Sequence, residues 1–369
     1  MNVPFNNVFS NKKTLITGHT GFKGSWLSVW LLKLGASVFG LSKDIPTNPS
    51  MFEDLGLKNK LVHFNEDVRN LDSLISTIKQ TKPDFIFHLA AQPLVSVSYK
   101  NPIETISTNV IGTSNILEAL RILNYNCIVI IITSDKCYDN LELNRGYSET
   151  DILGGKDIYS GSKGAAELVF KSYYHSFFST DNSNVKCVSV RAGNVIGGGD
   201  WAKDRIVPDC IRAWSKNESV SIRNPGATRP WQHVLEPLSG YLMLGQTLFE
   251  ESSLSGQSFN IGPTTNSDFK VQEIIIDLCK EWGFRDISKA YSIVNKSAFH
   301  EAGLLKLNCD KALSLFGWQT TLNYEQLIEF TGSWYFNYYN NRSKMYDYTL
   351  NQIDKYEKKA FDRSIKWIK

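Results

Sequence analysis

Tyr159-Ser160-Gly161-Ser162-Lys163 sets a lysine four residues after a tyrosine, and Thr133-Ser134-Asp135-Lys136 lies about two dozen residues upstream. On a helix, positions i and i+4 share a face, so Tyr159 and Lys163 can enter one site. An ammonium beside a phenol favours the phenolate, so the spacing predicts a Tyr159 pKa below the usual ~10. A tyrosine tuned in this way can take a proton from a substrate hydroxyl at neutral pH. That step makes chemical sense beside a hydride acceptor.

The N-terminal segment supplies a place for the acceptor. Residues 14–17 read as a short apolar strand that runs into Gly18-His19-Thr20-Gly21-Phe22-Lys23-Gly24, three glycines spaced by two residues. Residues 25–32 then read as a buried helix, and 37–41 as a second strand, which closes a βαβ unit of about 30 residues. The glycines keep the turn tight and let backbone N–H groups approach a pyrophosphate at the helix N-terminus. A glycine trio alone is a weak signal, since some such trios mark only a turn; the strand, the helix and the downstream Tyr-x-x-x-Lys favour a dinucleotide. Ser42-Lys43-Asp44 follows the second strand. Lys43 suits a ribose 2′-phosphate and thus NADP, whereas Asp44 suits a free ribose hydroxyl and thus NAD.

The elements that must hold these groups alternate. Residues 85–91, 127–134 and 185–191 read as strands apolar on both faces, separated by helical stretches such as 109–122. This pattern predicts an α/β fold, a Rossmann-type doubly wound parallel sheet covered on both sides. In such sheets ligands bind beyond the carboxyl ends of the strands. Gly18, then His88-Leu89-Ala90-Ala91, then Thr133-Ser134-Asp135, then Arg191-Ala192-Gly193-Asn194 stand at those ends, so they converge on one rim. After about Asn194 the texture changes to glycine, proline, tryptophan and arginine clusters, which predicts a smaller C-terminal substrate-binding domain. The expected division is 1–190 for dinucleotide binding, with segments around 230–262 returning to it, 191–345 mainly for substrate, and 346–369 as a polar surface helix or tail.

A chain of 369 residues can bury a sizeable core and has room for about two domains. Its net charge of +3 is too small and dispersed to indicate nucleic acid. No apolar run approaches the ~20 residues of a membrane span, and Met1-Asn2-Val3-Pro4 begins no signal peptide. The six cysteines form no C-x-x-C pair, so neither a metal site nor a disulfide framework is expected. Reduced, packed thiols in a cytoplasm fit that usage.

Gly18-x-x-Gly21-x-x-Gly24 together with Tyr159-x-x-x-Lys163 resembles the extended short-chain dehydrogenase/reductase superfamily. Four longer strings, residues 17–27, 88–95, 133–138 and 191–201, are similar to its nucleotide-sugar dehydratase branch, the CDP-glucose 4,6-dehydratases. Arg229-Pro230-Trp231-Gln232-His233-Val234 and His300-Glu301-Ala302 match that branch's second half. Arg145-Gly146-Tyr147-Ser148 departs from it.

The resemblance implies a reaction: NAD-dependent oxidation of the hexose at C4, loss of water across C5 and C6, and return of the hydride to C6. CDP-glucose would become CDP-4-keto-6-deoxyglucose, a precursor for deoxysugars of lipopolysaccharide O-antigen. Tyr159 would deprotonate the C4 hydroxyl, and Lys163 would hold the nicotinamide ribose. Thr133 would hydrogen-bond the C4 oxygen, or merely cap its strand. Asp135 would protonate the departing C6 hydroxyl. Lys136 would take the C5 proton as a neutral amine, or only pair with Asp135. The cofactor would lie against Gly18, His19, Gly21, Phe22, Gly24, Ala90 and Ala91, with Asp67 and Val68 at the adenine. Gln92, Asn194, Arg205, Arg223, Arg229 and His300 would hold the nucleotide sugar, Arg205 and Arg229 by forked donation to phosphate oxygens and Arg223 in the segment at the nucleobase edge. Helices over 109–122 and 159–174 would pair two subunits in a homodimer or a higher homo-oligomer. An epimerase or reductase of the same superfamily competes with this reading but needs no acid and base beside the tyrosine, and a non-catalytic dinucleotide-binding protein would need neither Tyr159 nor Lys163.

Overall fold

The computed structural model describes residues 3–180, 182–263, 268–294 and 305–368. Seven parallel strands form the central sheet: β1 (Lys13–Thr17), β2 (Ser37–Leu41), β3 (Val62–Phe64), β4 (Phe85–His88), β5 (Cys127–Ile132), β6 (Val185–Ala192) and β7 (Ser258–Ile261). Their spatial order is β7-β6-β5-β4-β1-β2-β3. The chain runs outward from β1 in one direction and then returns to continue from β4 in the other. The crevice between β1 and β4 is therefore the switch point at which such sheets bind ligands. β5 is buried along its whole length, as its unbroken apolar run requires of a strand covered on both faces.

Helices α1 (Phe22–Lys33), α2 (Leu71–Thr81), α3 (Gly112–Leu123) and α4 (Ile158–Tyr173) cover the sheet with α6 (Leu235–Glu250), which packs on β5 and β6. The smaller half is built on α5 (Ile206–Trp214), α7 (Val271–Trp282) and α8 (Tyr324–Asn340), with short strand pairs such as Val220–Ile222 beside Tyr291–Ile293. β4 and β5 end sooner than the sequence predicts, at His88 and Ile132. The residues that follow are thereby released into the loops of the rim.

The segment after residue 345 is no surface tail. Helix α9 (Met345–Asp362) buries Met345, Ile353, Tyr356 and Ala360, and it lies on α1. Trp30 Nε1 and Lys33 Nζ both donate to Glu357, at 2.8 and 2.6 Å. Beyond the helix, Trp367 stacks on Phe5 and Tyr356 with ring centroids 4.8 and 5.7 Å apart. The polar residues of α9 fall on one side only, so its low average hydropathy concealed an apolar stripe.

Candidate active site

A cavity of about 1300 Å³ opens over the rim, lined by the glycine loop, the ends of β2 to β6, the start of α4 and the arginine-rich smaller half. It exceeds the ~300–1,000 Å³ of an ordinary small-molecule pocket, so it has room for two ligands side by side. Gly18 (φ +75°) turns so tightly that a Cβ would stand 2.8 Å from the Ala90 nitrogen, and a Cβ on Gly24 would stand 2.2 Å from the Gly18 carbonyl oxygen. No larger residue fits at either place. α1 begins after Gly21, which offers no side-chain cap, so its leading N–H groups face the cavity free to bind. This cradle fits a dinucleotide pyrophosphate.

Asp157 starts α4, its carboxylate accepting from Ser160 N at 3.0 Å and from Ser160 Oγ at 2.6 Å. The cap fixes Tyr159 in the first turn and Lys163 one turn on, both buried and both facing the cavity. Tyr159 departs from expectation. Burial drives the phenol up to about 12, a hydrogen bond from Ser134 draws it back, Asp135 raises it and Arg205 lowers it. Lys163 is not among the groups that shift it, and burial brings that ammonium down to about 8. Lys163 makes no hydrogen bond among the described residues, which leaves it free for a ribose hydroxyl.

Asp135 sits on the same wall, nearly fully buried. Its Oδ1 accepts from Ser134 Oγ at 2.9 Å, whereas its Oδ2 has no hydrogen-bond partner among the described residues. Lys136 Nζ approaches Oδ2 to 3.8 Å, an ion-pair distance too long for a hydrogen bond. An acid, an amine and a phenol thus converge around one space, with one carboxylate oxygen uncommitted.

Several expected site residues lie elsewhere. Thr133 lines the cavity, but its backbone N–H still donates to Val190 on the β6 ladder, and its hydroxyl donates to buried Glu167. Ser134, the first residue beyond that ladder, is the hydroxyl beside Tyr159. His19 turns under β2, its ring filling the space left by Gly40, hydrogen-bonded to Ser42 Oγ at 3.0 Å and to His63 Nδ1 at 2.8 Å. Burial and the neighbouring His63 bring it down to about 3, so it stays neutral and supports the loop from behind. Gln92 is absent from the cavity wall; its amide binds the Leu94 backbone and Thr105, closing its own loop. Asp67 and Val68 reach the wall, although Arg69 grips the Asp67 carboxylate with contacts down to 2.6 Å. Phe22, Gly21, Ala90, Ala91, Asn194, Arg205, Arg223 and Arg229 all line the cavity. His300 lies outside the described residues.

Arg205 is tied to Asp200 at 2.8 Å and lies near enough to Tyr159 to affect it. Lys23, an unremarked position of the glycine loop, brings its ammonium into the same corner. Burial, then Arg205 and Lys163, lower it to about 7. No hydrogen bond among the described residues holds it. An anion bound there restores its full charge, so binding at pH 8 should take up protons, approaching about one per site. Calorimetry of nucleotide binding in buffers of different ionisation enthalpy measures the uptake, and Lys23→Met should remove most of it. Identical heats in all buffers would show that Lys23 meets no bound anion.

A family model for GDP-mannose 4,6 dehydratase matches residues 15–331. The chain is 48% identical, over 85% of its length and 87% of that protein, to a CDP-glucose 4,6-dehydratase of Salmonella typhimurium. It is 29% identical to a CDP-paratose 2-epimerase of Salmonella typhi, over 71% of this chain and 82% of that one. Among solved structures, the dTDP-glucose 4,6-dehydratase DesIV of Streptomyces venezuelae, with NAD and TYD bound, shares the fold with a TM-score of 0.74 at 20% identity, over 89% of this chain and 98% of that one. Since the family match spans nearly the whole of both halves around the cavity, the chain belongs to the GDP-mannose 4,6-dehydratase family, within the extended short-chain dehydrogenase/reductase superfamily.

Proposed function

We propose that the protein is an NAD-dependent lyase that dehydrates CDP-glucose to CDP-4-keto-6-deoxyglucose for deoxysugar biosynthesis. The observation that carries this reading is the meeting of Asp135, Lys136 and Tyr159 on one cavity wall, where an epimerase or reductase would need only the tyrosine. The likeness to the Salmonella CDP-glucose enzyme supports the choice of nucleotide.

Bound NAD⁺ would supply the hydride acceptor and a fixed positive charge. Its pyrophosphate would rest on the N–H groups that lead α1, and a ribose would meet Lys163. The Tyr159 phenolate, steadied by the Ser134 hydroxyl once that turns from Asp135, takes the proton of the C4 hydroxyl. Asp135 then gives its proton, from the oxygen that has no hydrogen-bond partner among the described residues, to the C6 hydroxyl as it leaves. Lys136 removes the C5 proton; oxidation at C4 has already acidified it. Asn194, Arg223 and Arg229 hold the diphosphate and nucleoside, with Arg205 nearer the sugar. The placement of His300 in the substrate site remains part of the same proposal.

The test is incubation with CDP-glucose and other nucleoside diphosphate hexoses in D₂O, without added reductant. The expected product absorbs near-ultraviolet light in strong alkali and carries deuterium at C5, and Lys136→Met should block that exchange. A C4 epimer, or no turnover of any hexose, would remove the dehydratase reading.

We also infer a homodimer. Ile103, Ile111, Leu168 and Phe177 stand exposed around α3 and α4, a set of apolar side chains suited to an isologous four-helix contact. Sedimentation equilibrium yielding only monomer at micromolar concentration would refute it. A cytoplasmic location agrees with six cysteines that form no disulfide.

A further inference from the structure

The residues after β2 left two cofactors open on sequence grounds, and the structure adds a third side chain to that choice. Lys43 Nζ donates to Glu104 Oε1 at 2.8 Å and stands 3.9 Å from Asp44 Oδ2. Glu104 comes from the short helix Pro102–Ile106, 61 residues further along the chain. Lys43 and Asp44 line the cavity, and β2 ends at Leu41, which is paired with Thr17 immediately before Gly18. They therefore face the adenosine ribose of any dinucleotide seated on the glycine loop. The other cation at this edge, Arg69, is committed to Asp67.

Both cations here are thus held by carboxylates, while the Asp44 side chain is 61% exposed. A ribose hydroxyl finds an acceptor in Asp44. A 2′-phosphate would find neither Lys43 nor Arg69 free and three carboxylates, Asp44, Asp67 and Glu104, nearby.

We propose that Glu104 sets the cofactor choice by holding Lys43, so that this end of the cavity takes a ribose hydroxyl and rejects a 2′-phosphate. The proposal rests on reading the cavity as a dinucleotide site. The pair is partly exposed, 40% and 36% at the side chains, so water screens it and its effect is moderate. Releasing one lysine to a phosphate should be worth about tenfold in affinity, the lower end for a charged hydrogen bond.

The experiment is calorimetric titration of the full chain with NAD⁺ and with NADP⁺ in the absence of sugar. Wild-type protein should bind NAD⁺ more tightly. Glu104→Gln should narrow that preference about tenfold, chiefly through tighter NADP⁺ binding, and Glu104→Ala should move it in the same direction. Adding Lys43→Met to either variant should abolish the gain, because the freed lysine carries it. An unchanged preference in both single variants, or a gain that survives Lys43→Met, overturns the proposal. Wild-type protein that binds neither dinucleotide overturns the underlying dinucleotide reading instead.

Discussion

Tyr159→Phe should lower turnover by about 10²–10⁴-fold, the range ascribed to a lost acid–base group, while nucleotide sugar and dinucleotide still bind. The exchange keeps the ring, which is buried at the start of α4, and removes only the oxygen that faces Ser134 and Asp135. A phenol held at about 12 keeps its proton at neutral pH. Its action as a base therefore requires added positive charge in the cavity, and activity should fall as pH drops below the value to which that charge brings the phenol. Steady-state kinetics and binding calorimetry on one preparation decide the matter. Near wild-type turnover in the variant would take the proton abstraction away from Tyr159.

Glu167→Ala should destabilise the protein by about 3–5 kcal/mol, because it leaves a charge buried without its partner. Glu167 and Arg191 are wholly inaccessible, with 2.9 Å between Arg191 Nη2 and Glu167 Oε2. Ser189 and Ser258 donate to the same oxygen, and Thr133 to the other. Burial alone would raise the carboxyl, but Arg191 and these donors more than offset it and hold its pKa below the ordinary value. The network fastens α4, which carries Tyr159 and Lys163, to the ends of β5, β6 and β7. Denaturant unfolding measures the loss. Glu167→Leu combined with Arg191→Met should cost less than Glu167→Ala alone, since no lone charge remains. Equal or greater loss in the double variant would show that packing, not the buried charge, dominates.

What the sequence disclosed followed from how local the signals are. Gly18 and Gly24 are demanded by a turn of seven residues, and Tyr159 and Lys163 share a single helical turn, so each could be read without knowing the fold. Thr133 and Ser134 were harder to separate. Both are hydroxyls at one strand end, and only the hydrogen bond from Thr133 N to Val190 O shows which is still on the ladder. His19 and Gln92 stand inside recognisable strings yet face away from the cavity, because a string records which residues are present and not where their side chains turn. The Glu167–Arg191 pair joins residues 24 positions apart, and nothing in either neighbourhood marks the contact. Along α9, Thr349, Ile353, Tyr356 and Ala360 repeat at helical spacing, but the polar residues between them masked that stripe, and nothing nearby in the sequence marked the surface it covers.

That surface belongs to α1, and it dictates an order of events during synthesis. Trp30 leaves the ribosome 327 residues before the glutamate that accepts its indole hydrogen. At about 5–20 residues per second, translation leaves this face of α1 uncovered for roughly 15–65 s. Throughout that interval the nascent chain displays tryptophan next to the glycine loop, a surface to which chaperones bind and at which neighbouring nascent chains can aggregate. The far end of α1 can be covered only after α9 has emerged, so a helix translated early is among the last to be packed on all sides.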